Sequence, residues 1–225
     1  MPQPMTQRTS PPPEDSRAIT PRSVNFSEWF QETVSAGAIV RYSDVPGCFI
    51  FGPNGAELWD RVRFELDTII KATGHKTVMY PTLIPESLLK READHIEGFA
   101  PELARVTSLH GQQLPDPLVL RPTSEAVIYN DWRKMIRSEA DLPVIINQWC
   151  NVFRVERRTR PLLRTFEFFW QEGHTAHATD KEAREETLKM LHEYARFMRD
   201  TLAIPVIVGR KTKSKNSQAP ERRIP

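Results

Sequence analysis

Several features that are common in other protein classes are absent or scarce in this sequence. The 225 residues include only two cysteines, Cys48 and Cys150, which lie far apart and fit no metal-ligand spacing. We therefore expect a reducing compartment. No apolar run approaches the roughly 18–20 residues of a membrane helix. The N-terminus lacks the hydrophobic segment of a secretory signal, so the expected location is cytoplasmic and no membrane partner is expected.

An excess of charge of one sign is also lacking. The formal net charge is +2, so no overall basic field indicates a nucleic-acid partner. The positive charge is local instead, from Arg154 to Arg164 and at the end of the chain from Arg210. Neither a GxGxxG sequence nor a P-loop is present. A nucleotide would therefore have to bind on a sheet, through stacking and guanidinium contacts.

The pattern along the chain predicts an α+β fold. Residues 1–24 contain six prolines and little apolar matter, so we expect a disordered leader. Beyond it, helical periodicity and short strand-like runs follow each other without regular βα alternation, which indicates an antiparallel sheet flanked by helices. The predicted helices start at Asn25 or Ser27, cover Gly55–Thr73, include pieces of 86–105, run from Thr123 or Ser124 to Ile136, and run from Thr179 to about Leu202. The predicted strands lie within Ile39–Pro53, Val78–Pro81, Leu118–Pro122 and Pro205–Val208, besides the two described next.

The stretch from Val144 to His174 predicts two strands joined by a cationic loop. The first strand, Val144–Glu156, is rich in β-branched and aromatic residues, and the second, Arg164–Glu172, contains three phenylalanines and a tryptophan. Side chains alternate between faces along a strand. Two sets therefore share a face each: Gln148, Cys150, Val152, Arg154 and Glu156 on the first strand; Arg164, Phe168, Trp170, Glu172 and His174 on the second.

If the two strands form an antiparallel pair, both sets line one floor. That floor combines guanidinium groups, carboxylates, aromatic rings and a histidine, a mixture that is expensive to bury without a ligand. Plainer interpretations remain open at this point. Arg154 and Glu156 could form a surface ion pair worth about 0–1 kcal/mol, and the aromatic residues could be core. Glu125 could be an acidic residue favoured at a helix N-terminus. His174 and His177 could indicate a metal, but no third ligand is suitably spaced. His177 is expected either to be an ordinary surface residue or to support the pocket residues from behind.

Several separate motifs, in order, resemble the prolyl-tRNA synthetases of the eukaryote-like and archaeal-like type, which are class II aminoacyl-tRNA synthetases. Phe153-Arg-Val-Glu156, the basic loop and Arg164-Thr-Phe-Glu-Phe168 resemble motif 2 of that class. The continuation Trp170-Gln-Glu-Gly-His-Thr-Ala-His177 narrows the resemblance to the prolyl family. Supporting segments are Phe26–Trp29, Tyr42–Cys48 and Leu120-Arg-Pro-Thr-Ser-Glu125, and the helix over 55–73 with Tyr80-Pro81 resembles motif 1.

The resemblance implies that residues 25–213 form part of a catalytic domain that binds ATP and proline. Family members make prolyl-adenylate and then transfer proline to tRNA(Pro). For ATP, the resemblance implies that Arg154 contacts the α-phosphate and that Glu156 accepts a hydrogen bond from the adenine amino group. It also implies that adenine stacks on Phe168 and that Arg164 lies near the triphosphate. For proline, the family roles fall on Thr123, Glu125, Trp170, Glu172 and His174. ATP would arrive with Mg²⁺, no protein metal site is expected, and motif 1 implies a homodimer through residues 55–73.

The sequence departs from the family near its end. After Lys215 the family's later strands, its motif 3 arginine and its anticodon-binding domain are not found, so residues 214–225 are expected to be a non-family tail and the fold incomplete. Losing one charge-stabilising arginine commonly costs a few kcal/mol of barrier. We therefore expect little or no aminoacylation by this chain alone. A catalytically inactive, synthetase-like binding or regulatory protein, or another class II ligase such as a threonyl or seryl enzyme, remain alternatives.

Overall fold

The computed structural model describes residues 19–91, 103–156 and 158–210. The expectations for residues 1–18, for 92–102 and for the tail 214–225 lie outside these ranges. The elements follow in this order: α1 Phe26–Ala36, β1 Val40–Tyr42, β2 Phe49–Phe51, α2 Pro53–Ala72, β3 Lys76–Thr77, β4 Leu83–Pro85, α3 Glu86–Arg91, β5 Arg105–Leu109, β6 Gln112–Leu120, α4 Glu125–Met135, a short 3-10 helix Glu139–Asp141, β7 Val144–Phe153, β8 Glu167–Ala176 and α5 Asp180–Asp200. The mixture of helices with mainly antiparallel strands confirms the α+β prediction.

The predicted central hairpin is confirmed, with different strand ends. β7 and β8 pair antiparallel over ten residues each, and β3 adds to β7 in parallel. The predicted first strand ended at Glu156, but the ladder stops at the pair Phe153–Glu167. Beyond it, the Phe166 N–H donates to the carbonyl of Gly47 at 2.7 Å instead of to β7. Gly47 has φ +79°, and a Cβ there would meet the Phe166 ring, so glycine permits this close approach. Arg154, Glu156 and Arg164 therefore lie just outside the paired strands.

A second sheet, with the strand order β4–β6–β5, was only partly predicted. The expectation of a short strand at Leu118–Pro122 captured the end of β6 but missed the β5–β6 hairpin. Two prolines within β6, Pro115 and Pro117, argue against a strand by composition. The turn between β5 and β6 favours the hairpin despite these prolines. His110 and Gly111 have φ +51° and +76°, the left-handed values that a two-residue hairpin turn requires.

Two predicted strands are wrong. Residues 78–81 are not in a strand; the pairing lies one step earlier, at Lys76–Thr77. The segment Pro205–Val208 has no regular structure, and Ile207 is 99% exposed. An extended segment becomes a strand only when a neighbour satisfies its backbone groups, and no strand in the described ranges pairs with this one.

The helices carry the predicted caps at two of three places. Asn25 Oδ1 accepts hydrogen bonds from the N–H groups of Ser27 and Glu28 at 3.1 and 3.2 Å. Thr179 and Glu182 form the predicted capping box of α5. The predicted cap of α4 is wrong: Ser124 occupies the N-cap position but its side chain makes no capping hydrogen bond. None of the described helices combines the length and the apolar character needed to span a lipid bilayer.

In the described residues the buried apolar side chains form three clusters, two of which lie on opposite sides of the sheet that contains β7. Leu66 and Ile70 of α2 pack against Phe197 of α5 on one side of the sheet. On the other side α4 contributes Ile128 and Trp132, which pack with Ile146 of β7. The third cluster joins α3 and α4 to the second sheet: Ile84, Leu88, Leu89, Val119 and Ala126. Along α2, Leu66 and Ile70 are buried, while Leu58 near its start is 56% exposed.

Phe197 offers a test of the α2–α5 cluster, because its side chain is only 3% exposed. We expect Phe197→Ala to lower the free energy of unfolding by about 3–5 kcal/mol, through lost burial and the cavity left behind. Urea unfolding monitored by circular dichroism measures the change. Leu188→Ala, on the same helix but 55% exposed, is the matched control and should change stability by under about 0.5 kcal/mol. Equal effects of the two substitutions would contradict the packing described.

Candidate functional site

One face of the β7–β8 hairpin brings the predicted site residues together. Directly opposite residues of antiparallel strands point to the same face. The cross-strand partners on this face are Ile146 with His174, Gln148 with Glu172, Cys150 with Trp170, and Val152 with Phe168. The floor expected from the alternation of side chains is therefore present within the paired strands, whereas Arg154, Glu156 and Arg164 lie beyond them. Helix α4 covers one end of the floor through Tyr129, whose ring lies 5.8 Å from that of His174.

Arg154 lies at the open end of this floor. Its guanidinium carbon is 5.1 Å from the ring centroid of Trp170 and 5.4 Å from that of Phe168. Its Nε donates to the carbonyl of Pro122 at 3.0 Å, which ties the side chain to the segment leading into α4. A guanidinium held over two rings keeps its planar fork in a defined orientation.

Carboxylates surround this cation. Burial lowers the pKa of Arg154, while the charges of Glu125, Glu156 and Glu172 act in the opposite direction. Arginine nevertheless stays protonated in proteins. The Arg154 guanidinium thus lies near enough to three carboxylates to be influenced by their charges. Such a mixture of charges is suited to a ligand with both anionic and cationic groups.

Thr123 and Glu125 lie where the segment after β6 turns into α4. The Thr123 hydroxyl donates a short hydrogen bond to a carboxylate oxygen of Glu125. Glu125 is also the first residue of α4, so the helix dipole favours its negative charge. The plainer interpretation of Glu125 and the functional one are therefore compatible.

Glu172 is the most heavily hydrogen-bonded of the predicted residues. Its Oε1 accepts from Ser124 Oγ at 2.5 Å, from Gln148 Nε2 at 2.8 Å and from the Cys150 thiol at 3.3 Å. Its Oε2 lies 3.0 Å from His174 Nε2. The side chain is buried, and its partners belong to three different elements. Glu172 therefore joins β7, β8 and α4 at the centre of the floor.

The pKa of Glu172 reflects these contacts. Burial alone would raise it, but the hydrogen bonds from His174, Ser124 and Gln148 outweigh burial and lower the pKa to about 2. The resulting anion acts on its neighbour: burial first, and then the charge of Glu172, raises the pKa of the Cys150 thiol to about 11. At neutral pH the floor contains a carboxylate and an unreactive thiol side by side.

Glu156 and Arg164 are brought together at the exposed rim. Arg164 Nε and a carboxylate oxygen of Glu156 are 3.4 Å apart, and both side chains reach solvent. The plainer interpretation expected an ion pair between Arg154 and Glu156. In the structure, Glu156 forms an ion pair with Arg164. Such exposed pairs contribute about 0–1 kcal/mol, so a ligand can displace one readily.

Three polar residues near the site were not singled out from the sequence. Arg121 is buried and donates to the carbonyls of Tyr80 and Asn151 at 2.7 and 2.8 Å, which joins β7 to the segment before α4. Ser124 and Gln148 contact Glu172 as described. The signal for Gln148 was a polar residue on the inward face of an apolar run, and the signal for Arg121 and Ser124 was their place beside Thr123.

His174 and His177, three residues apart, have different surroundings. His174 is buried against Glu172 as expected for a pocket residue, whereas His177 is half-buried and its Nε2 has no hydrogen-bond partner among the described residues. Over residues 19–91, 103–156 and 158–210, no three histidine, cysteine, aspartate or glutamate side chains are grouped so that they could hold a metal ion.

Comparisons with known proteins agree with the geometry. The family model of the tRNA synthetase class II core domain (G, H, P, S and T) matches residues 107–222. Proline–tRNA ligase from Prosthecochloris aestuarii is 52% identical over 196 residues, and the one from Symbiobacterium thermophilum is 51% identical over 198 residues. Among solved structures, prolyl-tRNA synthetase from Cryptosporidium parvum, complexed with halofuginone and AMPPNP, is 39% identical with a TM-score of 0.82.

The similarity extends over most of this chain but only part of each relative. The matches cover 87% and 88% of this chain for the two bacterial proteins and 88% for the Cryptosporidium structure. In all three cases the chain spans 41% of the length of the relative.

Glu172 makes stability depend on acidic pH in a defined direction. Because its folded-state pKa is lowered from an ordinary 4.5 to about 2, its contribution is complete above about pH 4.5 and is lost as the pH falls towards 2. Between about pH 5 and 2 we expect wild type to lose about 3 kcal/mol more unfolding free energy than Glu172→Gln. Urea unfolding at each pH measures this difference.

The control for this measurement is Glu185→Gln, which alters an exposed carboxylate on α5. Its acid profile should follow that of wild type. A Glu172→Gln profile parallel to wild type across the whole range would contradict the hydrogen-bonded anion.

Proposed function

Because the chain belongs to the class II tRNA synthetase core-domain family, we propose that the β7–β8 floor binds ATP and proline for a proline–tRNA ligase. The relatives that match over most of this chain carry that name. The observation that carries the proposal is the Arg154 guanidinium, which lies within cation–π distance of the Trp170 and Phe168 rings and donates a hydrogen bond to the carbonyl of Pro122. A planar cation held in this way suits the charge that develops on the α-phosphate when adenylate forms.

In the proposed reaction, a carboxylate oxygen of proline attacks the α-phosphorus of ATP. The bond from that phosphorus to the pyrophosphate oxygen breaks, and prolyl-adenylate and pyrophosphate result. Arg154 stabilises the extra negative charge in the transition state. The terminal adenosine of tRNA(Pro) then takes the prolyl group and releases AMP. In the whole enzyme, proline, ATP and tRNA(Pro) are thus the substrates.

The proline half of the floor is assigned to the residues that contact one another around Glu172 and Glu125. The secondary ammonium of proline is a cation, and Glu125, with Thr123 bonded to it, is a natural partner for it. The Trp170 ring offers an apolar plane to the pyrrolidine ring, and Glu172 with His174 closes the far side of the pocket.

The ATP half of the floor is assigned to Phe168, Glu156 and Arg164. Phe168 provides a ring for adenine, Glu156 accepts from the adenine amino group, and Arg164 approaches the triphosphate. The weak Glu156–Arg164 ion pair is consistent with both groups turning to a ligand. The Cryptosporidium relative was solved with AMPPNP, an ATP analogue, which supports a nucleotide on this fold. Mg²⁺ would come with the phosphates as part of the substrate.

The proposed surroundings of the enzyme follow from less specific observations. Both Cys48 and Cys150 are free thiols, which is consistent with a reducing cytoplasm. For α2 we propose the homodimer contact implied by motif 1, because Leu58 and Phe64 are 56% and 69% exposed on it.

Light scattering after size exclusion tests the dimer. We expect wild type at twice the 26.0 kDa chain mass and Phe64→Glu nearer the monomer, because a charge opposes burial of that surface. Leu188→Glu, which alters an equally apolar exposed residue on α5, should leave the mass unchanged. A monomeric wild type at high micromolar concentration would contradict the contact.

Binding of a hydrolysis-resistant prolyl-adenylate analogue, prolyl-sulfamoyl-adenosine, tests the function. Isothermal titration should show binding by the purified chain, and Arg154→Ala should weaken it about 10–100-fold, because a charge-assisted contact is lost. Arg137→Ala, which alters an exposed residue just after α4, is the control and should bind like wild type.

The amino-acid analogues separate the competing assignments. Preference for the threonyl or seryl sulfamoyl-adenosine over the prolyl one would indicate a different class II ligase. A folded wild type that binds none of the three would overturn the proposed function and favour a synthetase-like binding or regulatory protein. Equal binding by wild type and Arg154→Ala would contradict the role of that arginine.

A further inference from the structure

Two buried polar side chains, Ser124 and Gln148, have no role in the function proposed above. They are 0% and 1% exposed and come from different elements, the segment before α4 and the middle of β7. Both donate to the same carboxylate oxygen of Glu172, and Gln148 Nε2 also donates to Ser124 Oγ at 2.8 Å. The side chains of Ser124, Gln148 and Glu172 therefore form a closed triangle of hydrogen bonds at the floor.

The orientation of Gln148 within this triangle is determined from outside. The Tyr80 N–H donates to Gln148 Oε1 at 3.1 Å, so the amide oxygen faces Tyr80 and the NH₂ group must face Glu172. Ser124 uses its one hydroxyl proton towards Glu172 and accepts from Gln148. The hydrogen-bond direction is thus determined for both side chains, and Glu172 Oε1 accepts a hydrogen bond from each of them.

The geometry also leaves Glu172 little freedom. Oε1 accepts from Ser124, Gln148 and Cys150, so the remaining oxygen, Oε2, faces His174 at 3.0 Å. A carboxylate acceptor requires the Nε2–H form of the histidine. The tautomer and the ring orientation of His174 therefore follow from how Glu172 is held.

A purely structural role explains this arrangement less well. Ser124 stands at the N-cap of α4 yet makes no capping hydrogen bond, so the helix forgoes a contribution of about 1 kcal/mol. A buried hydroxyl and amide also stabilise a core less than apolar side chains of the same shape would. The hydroxyl is directed to Glu172 instead.

We propose that Ser124 and Gln148 are positioning residues of the amino-acid pocket: by holding Glu172 as a fixed anion they align His174 against the substrate. This inference rests on the proposed function, because it assigns the pocket to proline. It adds two residues to the expected proline-binding set. Ser124 and Gln148 do not touch the substrate, but they keep Glu172 ionised and fix its orientation.

Other ionisable groups around Glu172 must be considered in any pH experiment. On its own strand the neighbour is His174, and on β7 it is Cys150. The charges of Glu125 on α4 and of Glu172 act to raise the pKa of Arg154, which follows β7. Arg121, before α4, acts on Cys150. None of these groups is altered in the variants chosen below.

The first experiment needs no ligand. The titration midpoint of the Glu172 carboxyl carbon is followed by ¹³C NMR and assigned with Glu172→Gln. We expect Ser124→Ala to raise the midpoint by about one pH unit, the equivalent of one lost charge-assisted hydrogen bond. Gln148→Glu keeps the acceptor for Tyr80 but places a second carboxylate against Glu172, so it should raise the midpoint further.

Gln113→Glu, on the exposed part of β6, makes the same chemical change away from the site and should leave the midpoint unchanged. Circular dichroism and the dispersion of the NMR spectrum establish that each variant is folded. If Gln148→Glu does not fold, Ser124→Ala alone decides. An unmoved midpoint in folded Ser124→Ala overturns the proposal, because a side chain with a structural role only would leave Glu172 as it was.

The second experiment measures binding of prolyl-sulfamoyl-adenosine against pH. The acid limb of the affinity profile should move up in Ser124→Ala by the same amount as the Glu172 midpoint, whereas Gln113→Glu should follow wild type. Tight binding with an unmoved acid limb overturns the positioning role and leaves the proposed function intact. A folded wild type that binds no analogue overturns the proposed function, and with it the pocket that these residues were to position.

Discussion

The antiparallel register of β7 and β8 is the constraint on which the rest of the structure depends. Gln148 lies opposite Glu172 and Cys150 opposite Trp170, and the other cross-strand contacts of the floor follow from that alignment. A slip of one residue would turn every β8 side chain to the opposite face. Glu172 would then face α2 and α5, and its hydrogen bonds to Ser124 and Gln148 could not form.

The opposite face of the same hairpin explains why the register does not slip. There Trp149 packs edge-on against Trp59 of α2 at 5.6 Å and donates to Asp67 at 2.9 Å. On β8, Gln171 accepts a hydrogen bond from Tyr194 of α5 at 2.5 Å. One face therefore binds the hairpin to two helices, and the other is left for charged and polar groups that would be costly in a core.

Sequence patterns predicted the shared face of the hairpin more accurately than the ends of the elements. Alternation along the strands placed Gln148 and Glu172 on a common face before any contact was known. It extended the strands too far, to Glu156, because it could not show that Gly47 binds the backbone of Phe166. The strand expected at Pro205–Val208 failed for a similar reason, since hydrophobic residues indicate a strand but only a neighbouring strand makes one. The β5–β6 hairpin was not predicted, because the two prolines in β6 are unusual in a strand.

The amino-acid sequence alone determined the shared face of the hairpin and the helix caps at Asn25 and Thr179. It also carries the resemblance that implies roles for Arg154, Glu125 and Trp170. These depend on residues that are near one another in the chain or on a short spacing. The tertiary structure alone decided that Ser124 serves Glu172 rather than its own helix. Its hydroxyl could bond to the nearby backbone or to a carboxylate 48 residues away, and only the packing of α4 against β7 and β8 brings that carboxylate within 2.5 Å.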